Sequence, residues 1–175
     1  MLLIALMAGF AVQDPPVPHP ATPQQIPGHR SGYVQGTLNV AIGERATLRR
    51  NPDGTYDLVE VDRIDVRDVL PPEDGSSERL NRAPPGTVRF GLQARQDVGS
   101  LLKVENSQGQ GLKYTGLVVR YVGGQARGPT ETSVCSVPSG MANFERWPEP
   151  VLQVVIGSLQ PSDDSLPVCP RHVED

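Results

Sequence analysis

Histidine is the side chain that most often moves protons near neutral pH, and this chain has three: His19, His29 and His172. All three stand outside residues 33–160, where the patterning marks the folded body. Neither a Ser-His-Asp nor a Cys-His arrangement is therefore expected within that body. The sequence has no Gly-x-Ser-x-Gly, no His-Glu-x-x-His and no phosphate-binding glycine loop. Gly109-Gln-Gly111-Leu-Lys113 lacks the first glycine and the following Ser/Thr of such a loop, and it reads as a turn.

Carboxylates are the remaining catalytic option. Asp62, Asp65 and Asp68 recur every third residue, and Glu73-Asp74 and Asp163-Asp164 are adjacent pairs. A glycan hydrolase needs two acids held across a cleft; solvated acids on loops and strand edges are the plainer reading. Asn51 to Asp57 has some oxygen ligands of a calcium loop without the closing glutamate, and it reads as a turn. No catalytic residue, metal ligand or cofactor is assigned.

Met141 to Pro150 carries the single tryptophan, Trp147, together with Phe144 and Arg146, beside Pro148 and Pro150. Read as a connection between strands, it is the first candidate for a binding loop, because Trp and Arg anchor interfaces. Aromatics are only 5% of the chain, so Phe144 and Trp147 as a plug at one end of the core is the competing reading. The polar stretch Pro71 to Gly86 is a second candidate contact loop. A carbohydrate-binding module would use Trp147 and a tyrosine as stacking surfaces.

Cys135 and Cys169 are the only cysteines. An even pair behind an export signal predicts one disulfide tying the C-terminal tail, residues 161–175, to the body. The signal is the uncharged apolar run Met1 to Val12, with Gly9-Phe10-Ala11 placing small residues for cleavage after Ala11, so residues 1–11 are the expected signal peptide. No Lys or Arg precedes the run, which points to a translation start upstream. The run is too short to span a bilayer, and no cysteine follows it for lipid attachment, so no stable membrane anchor is expected. Residues 12–32 hold six prolines between Pro15 and Pro27 and read as a polyproline spacer.

The elements that must position these residues are strands. Gly and Pro number 18 each, and the hydrophobic share is 37%, which suits short strands separated by turns. Leu38, Val40 and Ile42 alternate with Thr37, Asn39 and Ala41, and Ala46 and Leu48 continue the period of two. Asn51-Pro52-Asp53-Gly54 then makes a turn toward Tyr56, Leu58 and Val61, a hairpin. Val59 to Val69 changes parity once, as a bulge or break requires. Strand signals resume at Val88 to Ala94. Leu101 to Asn106 and Leu112 to Val122, around a glycine-rich turn, suggest a second hairpin. Val134 to Val137 suggests a short strand, and Val151 to Leu159 a central strand covered on both faces. No segment has convincing helical periodicity.

Roughly seven to nine short strands point to an all-β antiparallel β-sandwich over residues 33–160. The paired-strand pattern Leu101 to Asn106, glycine turn, Leu112 to Leu117 resembles an immunoglobulin-like sandwich over about twenty residues, without the Cys…Trp…Cys spacing. The resemblance implies an architecture and no activity. A net charge of −4, with the arginines spread along strand faces, excludes nucleic acid as the expected partner. The expectation is a periplasmic or secreted, non-enzymatic module for protein–protein interaction or structural support, its partner a protein of the envelope or extracellular space. The alternative is a carboxylate-dependent glycan hydrolase or carbohydrate-binding module.

Overall fold

Eleven strands form two antiparallel sheets packed face to face in a computed structural model that describes residues 24–71 and 81–169. The expected signal peptide, most of the spacer, and His19, Glu73, Asp74 and His172 lie outside the described residues. One sheet has the order β1 (Gln24–Gln25), β2 (Gly32–Val34), β3 (Thr37–Ala41), β11 (Val151–Ser162), β8 (Gly111–Val122), β9 (Gln125–Thr132). The other runs β10 (Ala142–Trp147), β7 (Gly99–Asn106), β6 (Thr87–Arg95), β4 (Glu44–Arg50), β5 (Tyr56–Arg63). A single helical turn, α1 (Val66–Val69), follows β5.

The alternation read from sequence is the division between inside and outside. Leu38, Val40, Leu48, Phe90, Leu92, Leu102, Val104, Leu112, Val118, Val154 and Ile156 are all fully buried between the sheets. Phe90 meets Tyr114 across the core edge to face, ring centroids 5.6 Å apart, a favoured aromatic geometry. The outer face of the β7 sheet is partly covered too. Ile64, Val69 and Leu101 form a small apolar cluster there. Beside it, Lys103 Nζ lies 3.1 Å from Glu105, both nearly buried, and Glu105 also accepts from the Arg82 backbone N–H.

The Asn51–Gly54 hairpin joins β4 to β5, and Val59 is the extra residue at its bulge, since Thr47 faces Glu60 while Leu48 faces Leu58. Beyond Arg63 the parity change becomes the turn α1, in which the Asp65 N–H donates to the Asp68 carboxylate at 2.8 Å. Gly123 and Gly124, both at positive φ, close the β8–β9 hairpin, the conformation that matches strand twist in a two-residue turn.

Several expectations change. β7 and β8 belong to different sheets, so the glycine-rich stretch between them crosses the sandwich and is not a hairpin. The strand pairing behind the immunoglobulin-like resemblance is therefore not made. Met141 to Pro150 is not a loop: Ala142–Trp147 is strand β10, and its prolines follow the strand without interrupting it. Gln125–Thr132, unmarked by any apolar pattern, is strand β9. Val134 to Val137 contributes only a bridge, Val137 to Leu112. β11 is central between β3 and β8, but Leu152 and Val155 on its outer side are only half-buried. Within the stretch read as spacer, Gln24 pairs with Tyr33, and buried Glu44 accepts from the backbone N–H groups of Arg30 and Ser31.

Cys135 and Cys169 form a disulfide. Ser136 reinforces it, its N–H donating to Val168 O at 2.9 Å and its hydroxyl accepting from the Val168 N–H at 3.0 Å. Closing this loop removes unfolded-state entropy worth roughly 3–4 kcal/mol. The double substitution Cys135→Ser/Cys169→Ser should lower unfolding free energy by up to about that amount in urea titration. An unchanged midpoint would show that the link does not hold the fold together.

Candidate functional site

β9 ends one sheet and β10 ends the other, and both ends lie on the same side of the sandwich. Between them opens a cleft of about 850 Å³ bordered by Tyr114, Glu131, Val134, Glu145 and Trp147, with the disulfide on its wall. Among the described residues each border strand is laddered on one side alone: β9 pairs only with β8, and β10 only with β7.

Trp147 closes the inner end of the cleft. It stands opposite Ser100 in the β10–β7 ladder, is 6% exposed, and its indole N–H donates to Thr132 Oγ1 at 2.8 Å. One side chain thus links the β10 edge to the end of β9. Gly99, just before Ser100, is the close approach this requires: a Cβ there would lie 2.2 Å from Trp147 O, at φ +89°. The hairpin tip beyond the cleft exposes Tyr121 and Val122.

Glu145 shares the inward face of β10 with Trp147. Its Oε1 accepts from the Cys135 N–H at 2.7 Å and from Asn143 Nδ2 at 2.9 Å. Burial raises its pKa above the usual carboxylate value, and these two hydrogen bonds only partly oppose the rise. Tyr114, from β8, is 8% exposed, and its hydroxyl has no hydrogen-bond partner among the described residues. Burial, with the Glu145 charge added, pushes that phenol well up, so it remains a neutral hydroxyl.

The three residues singled out in the sequence are not brought together. Phe144 and Arg146 fall opposite Lys103 and Leu101, on the other face of β10 from Trp147. Phe144 is half-buried, and exposed Arg146 donates from Nε to Val98 O at 2.8 Å. Trp147 is buried, packs with the core and also borders the cleft. Two of the acids at three-residue spacing have structural partners: Asp62 pairs with Arg45, and Asp68 accepts from Asp65. Asp164 pairs with Ser162 and Lys113. His29 lies 3.6 Å from Glu44, outside the cleft.

Glu145 and Tyr114 escaped the sequence reading. Nothing in their local pattern distinguishes them, because their importance comes from a pairing of sheet edges far apart in the chain. Among the described residues no group of three or more His, Cys, Asp or Glu could hold a metal ion, and no helix is long and apolar enough to cross a membrane. No protein-family model, curated protein or solved structure matches the chain.

Glu145 gives a pH dependence of definite sign. With its folded pKa raised above the ordinary value of 4.5, the folded state holds that proton more tightly than the unfolded chain. Its contribution to stability is thus complete below pH 4.5 and is lost as pH rises through the folded value. Thermal melting of wild type against Glu145→Gln should show wild type losing stability relative to the variant across that window. A constant difference, or one of opposite slope, would contradict the assignment.

Proposed function

We propose that the chain is an exported, non-enzymatic β-sandwich module of the cell envelope or extracellular space that binds another protein at its β9–β10 side. The observation that carries this reading is the cleft of about 850 Å³ between two sheet edges. Such a border leaves backbone donors and acceptors unshared beside an apolar wall, the combination that receives extended polypeptide. β9 itself is guarded: Arg127, Glu131 and Pro129 interrupt its edge, which hinders open-ended self-pairing and leaves the cleft as the better seat.

A disulfide and an N-terminal apolar run support export, since cross-links of this kind persist in oxidising compartments. The rigid scaffold suits recognition, because strands held in a ladder lose little entropy on binding.

Two measurements on natively expressed protein test the reading together. A photo-reactive side chain at exposed Glu131 should give a cross-linked adduct of discrete mass, while the same group at exposed Arg49, at the far side of the β4 sheet, should give none. N-terminal sequencing should begin at Val12. Equal labelling at both positions, or no adduct at either, would contradict the binding side. A chain starting at Met1 and fractionating with cytoplasm would contradict export.

A further inference from the structure

We infer that the cleft receives a cationic side chain, an arginine or lysine of the partner, held by Glu145 with Glu131 at the rim and the Tyr114 hydroxyl behind. This rests on the proposed binding of a protein at the same side and specifies its chemistry.

The charges already present in the cleft decide the sign. Its arginines are engaged: Arg120 donates to Thr130 Oγ1 at 2.6 Å and stands 3.8 Å from Glu149, and Arg146 donates to Val98 O. Glu145 and Glu131 have no cation within ion-pairing distance among the described residues. Both donors to Glu145 take the same oxygen, Oε1, which leaves its second oxygen to accept from a ligand. A half-buried carboxylate without a counter-charge favours a cation more strongly than an exposed one, because water screens it less.

Tyr114 points to a ligand independently. A buried hydroxyl is nearly always hydrogen-bonded, and one that is not calls for an explanation. The Tyr114 hydroxyl is buried without a partner among the described residues, on a side chain that borders the cleft, and it senses the Glu145 charge. A guanidinium carries five donors in a planar fork, enough to serve the free Glu145 oxygen and the phenol oxygen together. Trp147 and Pro148 supply apolar wall for the aliphatic stem of such a side chain. A metal ion fits less well, since it needs more hard ligands than these two acids provide.

The test uses the full-length protein, ¹⁵N-labelled, and blocked pentapeptides with two glycines on each side of a central arginine, lysine, citrulline or glutamate. Citrulline keeps the shape of arginine without its charge. The single indole N–H, that of Trp147, reports occupancy. The arginine and lysine peptides should shift it saturably, and the citrulline and glutamate peptides should bind at least about tenfold more weakly. Glu145→Gln, which keeps an oxygen for the Cys135 N–H, should weaken arginine binding about tenfold, and Glu131→Gln about twofold to threefold. If Glu145→Gln fails to fold, Glu131→Gln, on an exposed side chain, carries the charge test. Citrulline binding as tightly as arginine, acid-to-amide variants binding as wild type, or no saturable shift at about 10 mM peptide would each overturn the inference. A cross-link at position 131 alongside such a failure would leave the binding module standing and remove only its cationic ligand. Arginine binding without any adduct would do the reverse.

Discussion

Each sheet has one apolar face that only the other can cover, and everything else in the molecule is arranged around that contact. Its middle is ordinary aliphatic packing around Phe90 and Tyr114. Its margin is less ordinary. Where the β10 edge meets the end of β9, a tryptophan fills the space and its indole N–H reaches Thr132. Around that contact the margin is tied further by the Cys135 N–H donated to Glu145 of β10, by the Tyr121 N–H donated to Pro150 O and by Arg120 beside Glu149.

The cleft follows from how this margin is closed. Trp147 seals it at depth, while Ser133 to Val137 crosses from one sheet to the other without forming a strand. The crossing brings the Cys135 N–H to Glu145, and the disulfide adds the C-terminal segment to the wall. A carboxylate that would be solvated on an open strand is thereby half-enclosed, and the Tyr114 hydroxyl is left without a partner among the described residues. These are costs to stability, and proteins retain such costs mainly where a site uses them.

Much of the scaffold was legible because one face of each strand must be apolar. Leu38/Val40 and Phe90/Leu92 announce their strands by alternation, and Asn51-Pro52-Asp53-Gly54 announces the turn. The even cysteine count announced the link. β9 was illegible for the converse reason: seven of its eight residues are exposed, so there is no buried face to produce a period. β10 is hidden by Pro148 and Pro150, whose signal of an ending is the same in sequence as the signal of a loop. The passage from β7 to β8 has hairpin chemistry in its glycines, yet sheet membership is decided by packing that no local window contains. For the same reason Trp147 reads from sequence as plug or contact, and its burial opposite Ser100 comes from packing that no local window contains.

The most direct test of the account is therefore the melting of Trp147→Ala, measured beside its retention of the cross-linked partner. If Trp147 is the plug that seats both edges, its loss should cost roughly 3–5 kcal/mol and lower the melting temperature by about 10 °C or more. An unchanged melting temperature with abolished partner binding would make Trp147 a contact residue and contradict the arrangement on which the cleft depends.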